Sequence, residues 1–345
     1  MKNKKFFFEN LIKWDRNYNT RDMPWKGEKD PYRIWISEIM LQQTRVQQGL
    51  DYYQRFIKKW PDVKSLAAAS EQQVYKAWEG LGYYSRCRNL IASARHIAKE
   101  LNGKFPDKYD DIIKLKGIGH YTAAAITSFA FNLPYAVVDG NVFRVLSRFF
   151  GIDTPVDSVK GKNEFTALAH ELLDKKNPGL YNQAIMDFGA VVCKPAAPVC
   201  EECVLQKKCA AYNKQLVLTL PRKEKTVRQR TRFFNYFIIE HHNKLFVRKR
   251  TGNDIWQSLY EFALVETQKF IPVKKFLQSD EVTALTGNGN TIKKISQNFQ
   301  QKLTHQTIRG RFFHVVLNEE ADSLKKFEKV SPGQLRKLPF PKFIT

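Results

Sequence analysis

Between Phe6 and about Ala211 the apolar positions fall at helical spacing. Ile34, Ile39, Met40, Val46 and Leu50 recur in that rhythm, and alanine runs stand at Ala67 to Ala69 and Ala123 to Ala125. A stripe of that period buries one face of a helix, so this part of the chain is predicted to be mostly α. From Tyr212 to Arg232 the pattern gives way to a polar, basic stretch, Pro221-Arg-Lys-Glu-Lys-Thr-Val-Arg-Gln-Arg-Thr-Arg232, with the composition of an exposed linker. Beyond it, Phe233 to Glu240, Lys244 to Arg250, Tyr260 to Glu266 and Ile308 to Leu317 are β-branched and aromatic runs separated by turn residues, and Val273 to Gln278 reads as helix. The expectation is a multidomain chain: an all-α region over 1–211, a basic linker over 212–232, and a small α+β domain over 233–345. No repeat of fixed period and no low-complexity tract interrupts it.

The 345 residues are 43% hydrophobic, enough for two domains with cores of their own, which excludes a disordered chain. Lys and Arg outnumber Asp and Glu by 57 to 34, a net charge of +23 that points to a polyanionic partner without separating nucleic acid from other acidic surfaces. The start, Met1-Lys-Asn-Lys-Lys-Phe-Phe-Phe-Glu9, has a basic, apolar beginning, but Glu9, Asn10 and Lys13 break the run before it becomes a secretion signal. No stretch approaches the ~20 apolar residues a membrane helix needs. A soluble, cytoplasmic protein with no membrane partner is expected.

Four of the five cysteines form Cys193-x6-Cys200-x2-Cys203-x5-Cys209, compact enough to wrap one metal centre in a reducing compartment. Tetrahedral zinc also takes four sulfurs, but zinc sites usually pair two short Cys-x2-Cys knuckles and only one is present, which favours iron-sulfur. Cys87 stands apart and reads as a packed thiol. Leu115-Lys-Gly-Ile-Gly-His-Tyr-Thr-Ala123 places Gly117 and Gly119 between apolar helical segments, the form of a helix-hairpin-helix, whose N–H groups at the next helix start can bind a phosphate; an interhelical turn has the same form. In Val137-Val-Asp-Gly-Asn-Val-Phe-Arg144, Asp139 precedes an apolar helical pattern, so an N-cap and a functional carboxylate are both open readings.

Together, the hairpin, Asp139 and the cysteine loop resemble the helix-hairpin-helix DNA glycosylases, and the cysteine spacing resembles that of endonuclease III and MutY-type enzymes. Within that superfamily Trp35-Ile-Ser-Glu-Ile-Met-Leu-Gln-Gln-Thr-Arg-Val46 resembles the MutY helix carrying the glutamate that protonates adenine. The resemblance implies a base-excision repair hydrolase for adenine opposite 8-oxoguanine or guanine in double-stranded DNA, with a four-iron four-sulfur cluster on the loop 193–209. It assigns Glu38 as general acid and Asp139 to the oxocarbenium charge, with Asn141 orienting the carboxylate or a phosphate. By spacing alone, Glu38, Gln42 and Arg45 fall on one helical face that could equally be a solvated stripe.

Tyr121 occupies the position where endonuclease III-like enzymes carry a Schiff-base lysine, which implies a monofunctional glycosylase. By the same resemblance Arg21, Trp25 and Gln183 line the adenine pocket, Gln43 and Tyr83 fall where the family wedges the duplex open, and Lys194, Lys207 and Lys208 offer charge to phosphates. Trp256-Gln-Ser-Leu-Tyr-Glu-Phe-Ala-Leu-Val265 resembles the Nudix-like lesion-recognition domain of MutY, and Leu303-Thr-His305 its Phe-Ser-His loop, with Leu for Phe and Thr for Ser. That places Thr304 and His305 at the 8-oxoguanine. The sequence holds no Glu-rich Nudix helix, so nucleotide hydrolysis is not expected; the enzyme is expected to act as a monomer on nucleoid DNA. The rival readings are a bifunctional pyrimidine glycosylase and lyase, opposed by Tyr121, Glu38 and the C-terminal domain, and a non-catalytic iron-sulfur DNA-binding or redox-sensing protein, which leaves both carboxylates unexplained.

Overall fold

The computed structural model describes residues 2–43, 46–224, 229–287 and 290–345. Arg45 and residues 225–228 of the expected linker lie outside the described residues. The chain divides into two compact units, Met1–Ala68 with Asn89–Lys225, and Ala69–Arg88 with Thr226–Thr345. The sequence division counted 69–88 with the helical region; these residues pack with the C-terminal part of the chain, where Lys76 Nζ donates to the Leu338 carbonyl at 3.1 Å and Phe340 N to Glu79 Oε1 at 2.8 Å.

Up to Asn213 the regular elements of the described residues are helical. They are α1 (Lys2–Tyr18), α2 (Pro31–Leu41), α3 (Val46–Lys59), α4 (Val63–Ala68), α5 (Glu71–Trp78), α6 (Tyr84–Glu100), α7 (Tyr109–Ile112), α8 (His120–Phe131), α9 (Gly140–Phe150), α10 (Val159–Leu172), α11 (Pro178–Val191) and α12 (Ala210–Asn213). Local chemistry sets their ends. Asp30 caps α2, accepting from Tyr32 N at 2.8 Å, with Pro31 filling a first-turn position whose N–H has no helical partner. Left-handed Asn132 and Gly151 close α8 and α9. The alanine run has its reason in α8: residues Thr122 to Ser128 are buried without interruption, and the helix packs against both α2 and α11. Small side chains allow two neighbours to come that close. The unit's core gathers Phe7, Leu11, Val142, Leu146, Phe165, Tyr181 and Phe188.

The expected linker is only partly a tether. Leu220 is buried, its carbonyl accepts from Arg148 Nε at 3.0 Å, and the Arg222 carbonyl accepts from Val156 N at 3.0 Å. A buried guanidinium needs acceptors, and this segment supplies one. At its far end Arg230–Arg232 already belongs to a strand.

The second unit is built on a mixed eight-stranded sheet: β1 (Arg230–His241), β2 (Lys244–Lys249), β3 (Tyr260–Glu261), β4 (Ala263–Thr267), β5 (Thr291–Ile295), β6 (Phe299–Lys302), β7 (Gln306–Val316) and β8 (Glu328–Val330), with α13 (Val273–Leu277), α14 (Asp280–Thr286) and α15 (Pro332–Leu335). β1 pairs in parallel with β7, matching Phe237 to Phe313, and antiparallel with β2 and β4. Both faces of β1 are covered: Phe237 and Ile239 enter a core with Phe276, Val282 and Phe313, while Tyr236 stacks on Phe312 at 5.6 Å from the other side. A central strand covered on both faces reads as a continuous apolar run rather than an alternating one. β5 and β6, which lie among exposed, polar residues, carried no such signal.

Candidate active site

A cavity of about 740 Å³ in the helical unit is lined by Arg21, Trp25, Glu38, Gln43, Tyr121, Asp139, Asn141 and Gln183, among others. Positions far apart in sequence converge because α2, α8, α9 and α11 each present an end or a turn to the same space. α2 stops at Leu41, and Gln42 leaves the helix with ψ of 116°, so the expected stripe of Glu38 and Gln42 on one helical face does not form. Glu38 is buried rather than solvated, and Gln42 Nε2 turns to donate to Thr122 Oγ1 at 3.2 Å.

Asp139 caps α9. Its Oδ1 accepts from Asn141 N and Val142 N, both at 2.8 Å, and its Oδ2 accepts from Asn141 Nδ2 at 2.7 Å. The capping reading and the functional reading are therefore compatible, since a cap that also lines a cavity is a carboxylate fixed by backbone. Burial raises the Asp139 carboxyl above its usual range, while the N–H groups of Val142 and Asn141 and the charge of Arg144 pull it down. Glu38 has no such donors from backbone. Burial and then the nearby Asp139 charge push it up to about 7, against the pull of the Tyr121 hydroxyl bonded to it. Tyr121, in the first turn of α8, is itself raised by burial and by both carboxylates. Two carboxyl groups thus share one cavity with unlike surroundings, three N–H contacts on Asp139 and one hydroxyl on Glu38.

The hairpin ends at the start of α8. Gly117 takes φ of +83°, and a Cβ there would come within 2.6 Å of Asn89 Cβ, so this position requires glycine. Gly119 is the N-cap of α8, with open space where a Cβ would stand.

Sequence reasoning missed Arg144, Gly189 and Asp187. Arg144 is buried on α9; its Nη2 donates to Asn141 Oδ1 at 2.8 Å and to the Gly189 carbonyl at 2.6 Å, and its Nε to the Cys193 carbonyl at 2.6 Å. Only glycine fits at 189, because a Cβ would meet Asn141 Cβ at 2.6 Å. One turn later Arg148 Nη1 donates to Cys193 Sγ at 3.5 Å and to the Lys194 carbonyl at 2.7 Å. Basic residues every fourth position on an apolar helix were the available signal. Cys193, Cys203 and Cys209 pack against the unit's core. Cys203 is raised by burial and by its sister cysteines to about 12, and Cys200 and Cys209 are raised for the same reasons. Among the described residues no group of three or more His, Cys, Asp or Glu side chains is placed to hold a metal ion. Lys194 and Lys207 are exposed, whereas the Lys208 ammonium sits 4.6 Å over the Phe6 ring.

The second unit has a cavity of its own, about 470 Å³, lined by Tyr83, Arg88, Gln257, Thr304 and His305 among others. Thr304 and His305 form the tight turn between β6 and β7, where Leu303 N donates to the Gln306 carbonyl at 2.7 Å. The Tyr83 hydroxyl hydrogen-bonds Thr304 Oγ1. Tyr83 (φ 48°), Trp256 (φ 61°) and Ser258 (φ 74°) all adopt left-handed backbone, as Gln43 (φ 56°) does in the helical unit. Such angles are costly for bulky residues and concentrate at functional sites.

Residues 36–173 match the family described as HhH-GPD superfamily base excision DNA repair protein, and residues 235–345 match the NUDIX domain. The chain is 33% identical over 321 residues to the adenine DNA glycosylase of Buchnera aphidicola subsp. Baizongia pistaciae, covering 91% of this chain and 87% of that one. It is 42% identical over 217 residues to the adenine DNA glycosylase of Mus musculus, covering 60% and 42%. Among solved structures it is similar to a thermostable thymine-DNA glycosylase (TM-score 0.58, 30% identity, 62% of this chain and 98% of that one). It shares its fold with endonuclease III in a trapped covalent DNA intermediate (TM-score 0.54, 21% identity, 62% and 98%). No helix among the described residues is long and apolar enough to cross a membrane.

Proposed function

This chain belongs to the adenine DNA glycosylase family, and from that premise we propose that it removes adenine paired with 8-oxoguanine or guanine from double-stranded DNA, with Glu38 as general acid and Asp139 as the charge facing the sugar. What carries the proposal is the pair of carboxyl groups in one cavity, both raised by burial, with N–H donors opposing that rise at Asp139 and the Asp139 charge adding to it at Glu38. Glu38 is pushed up to about 7 by burial, so a large fraction of it keeps a proton near neutral pH. Asp139 has three N–H donors that select its ionised form.

In this reading a flipped adenine enters the cavity, Glu38 delivers its proton to N7, and the C1′–N9 bond breaks with the electron pair leaving on the base. The cation that develops at C1′ is offset by Asp139, fixed in place by the cap of α9 and by Asn141. Water then adds to C1′ and its surplus proton returns to the Glu38 carboxylate, giving an abasic strand. Tyr121 cannot form a Schiff base, so the strand stays intact. Arg21, Trp25 and Gln183 contact the base. Gln43 and Tyr83, whose side chains stand on left-handed backbone, take up stacking lost on flipping, which is on the order of a few kcal/mol. The turn at Gly117 and Gly119 offers the first N–H groups of α8 to a phosphate without reading sequence. Thr304 and His305 read the opposite base, through the N7 hydrogen and the C8 oxygen that distinguish 8-oxoguanine.

Cys193, Cys200, Cys203 and Cys209 suit a four-iron four-sulfur cluster by donor chemistry. Burial and neighbouring cysteines raise Cys200, Cys203 and Cys209, which cationic iron would reverse, and Arg148 donates to Cys193. Such a cluster supplies order to the loop 193–209. Arg144 ties that loop to Asn141, and its exposed Lys194 and Lys207 are available to phosphates. A monomer acting in the cytoplasm fits this reading. The test is to score base release and strand cleavage separately on duplexes pairing adenine with 8-oxoguanine, guanine, cytosine or thymine. Release confined to the first two pairs, an uncut abasic strand and little borohydride trapping are expected. Efficient trapping, or release independent of the opposite base, contradicts it.

A further inference from the structure

On α11, behind the wall of the base cavity, Asp187 has no exposed side-chain surface and is not one of the cavity's lining residues. Its Oδ1 accepts from Arg21 Nη1 at 2.6 Å and from Gln183 Nε2 at 2.9 Å; its Oδ2 accepts from Asn19 Nδ2 at 3.0 Å and Lys26 Nζ at 3.3 Å. Arg21, Lys26 and Gln183 all line the cavity. A buried carboxylate is compensated by a counter-charge together with donors for its remaining lone pairs. The additional amide contact has a different consequence.

The two ends of a glutamine amide are nearly alike in shape and opposite in hydrogen bonding. A carboxylate accepts and does not donate, so an amide beside it must turn its NH2 inward, and the network alone decides the orientation. Gln183 thereby has Nε2 committed to Asp187, and no hydrogen bond to its Oε1 is present among the described residues. Asn141 is held by the same device, giving its NH2 to Asp139 and its oxygen to Arg144. The edge of a purine that differs most simply between bases is position 6, a donor in adenine and an acceptor in hypoxanthine.

We propose that Asp187 is a positioning residue that fixes Gln183 as a hydrogen-bond acceptor toward the base, and so selects 6-amino purines over 6-oxo purines. The inference rests on the reading that this cavity takes adenine. Replacing the Asp187 carboxylate with an amide removes the constraint, because the new side chain can give its own NH2 to Gln183 Oε1 and turn Gln183 Nε2 toward the base.

The experiment measures single-turnover release of adenine and of hypoxanthine, each placed opposite guanine in the same duplex, along with duplex affinity and melting temperature. For Asp187→Asn the adenine-to-hypoxanthine rate ratio should fall by about tenfold or more while duplex affinity stays within about threefold, since a site built to accept a hydrogen bond discriminates through the unpaired group it would otherwise leave. Gln183→Met, which removes the acceptor and leaves Asp187 in place, should lower the ratio similarly. In the double variant Asp187→Asn with Gln183→Glu, the introduced amide donates to a residue that presents only acceptors, and the ratio should return toward wild type. A purely structural role for Asp187 lowers both rates together and gives no such rescue. An unchanged ratio in both single variants overturns the proposal. If Asp187→Asn alone does not fold, the double variant, which keeps one negative charge in the cluster, decides: retained adenine preference upholds it and lost preference overturns it. A wild-type protein that releases no adenine opposite guanine or 8-oxoguanine would instead sink the functional reading beneath it.

Discussion

In the cavity of the helical unit the two carboxyl groups proposed for catalysis are buried or clamped by backbone: Glu38 lies inside α2, and Asp139 is held by the first N–H groups of α9. In the cavity of the second unit Tyr83, Thr304 and His305 are exposed and stand on turns, and a hydroxyl contact rather than a cap joins Tyr83 to Thr304. Burial changes proton affinity, and so the first cavity is equipped for chemistry. Exposed hydroxyl and imidazole groups on a hairpin turn are equipped to meet the edge of a ligand, and so the second suits discrimination. Variants in the first should lower the rate of bond cleavage for every substrate, while variants in the second should alter the ratio between substrates.

The largest effect should come from Glu38→Gln, which keeps the shape and removes the proton: single-turnover excision falls by ~10²–10⁴-fold with duplex binding retained. Full activity would dissolve the contrast between the two cavities. Asp139→Asn should cost roughly 10²–10³ in excision, as an electrostatic contact is lost. Because asparagine caps helices about as well as aspartate, the melting temperature should move little. A normal rate with a lowered melting temperature would leave Asp139 as a cap alone.

Thr304→Ala with His305→Ala should leave slow excision opposite guanine and remove most of the advantage of 8-oxoguanine, by about 1–3 kcal/mol per lost polar contact. Equal losses for both pairs would mean that the turn is merely structural. Smaller still, Cys203→Ser should weaken DNA affinity and solubility by a few fold, with iron content as the parallel readout, since a freed loop no longer presents Lys194 and Lys207 together. A colourless, fully active zinc protein would refute the iron-sulfur assignment.

The helical character of the first region was legible because periodicity reports burial on one face, and the strand character of the second because strands such as β1 are continuous β-branched and aromatic runs. Residues 69–88 were not, since helical spacing in α5 does not say which unit its apolar face joins. β5 and β6 escaped because exposed, polar strands lack alternation. Glu38, Asp139 and Tyr121, which line the cavity, and the four cysteines of the loop were singled out through local motifs. Arg144, Asp187 and Gly189 were not, because each acts across the fold, on Cys193, Arg21 and Asn141 respectively, and no local pattern encodes a partner more than 40 residues away. The alternative of a solvated stripe does not hold for Glu38 and Gln42, because α2 ends at Leu41 and Gln42 turns to Thr122.

The claim that Glu38 acts as a buried acid is tested most directly by the pH dependence of single-turnover adenine release from an adenine:8-oxoguanine duplex. A raised carboxyl keeps its proton below its own pKa and loses it above, so the sign is fixed: the rate should be high below about 7 and fall as pH rises through about 7. In Glu38→Gln the small residual rate should lose that limb, because the amide does not titrate. A wild-type rate that stays level or climbs from pH 6 to 8, or the same falling limb in Glu38→Gln, would contradict the assignment.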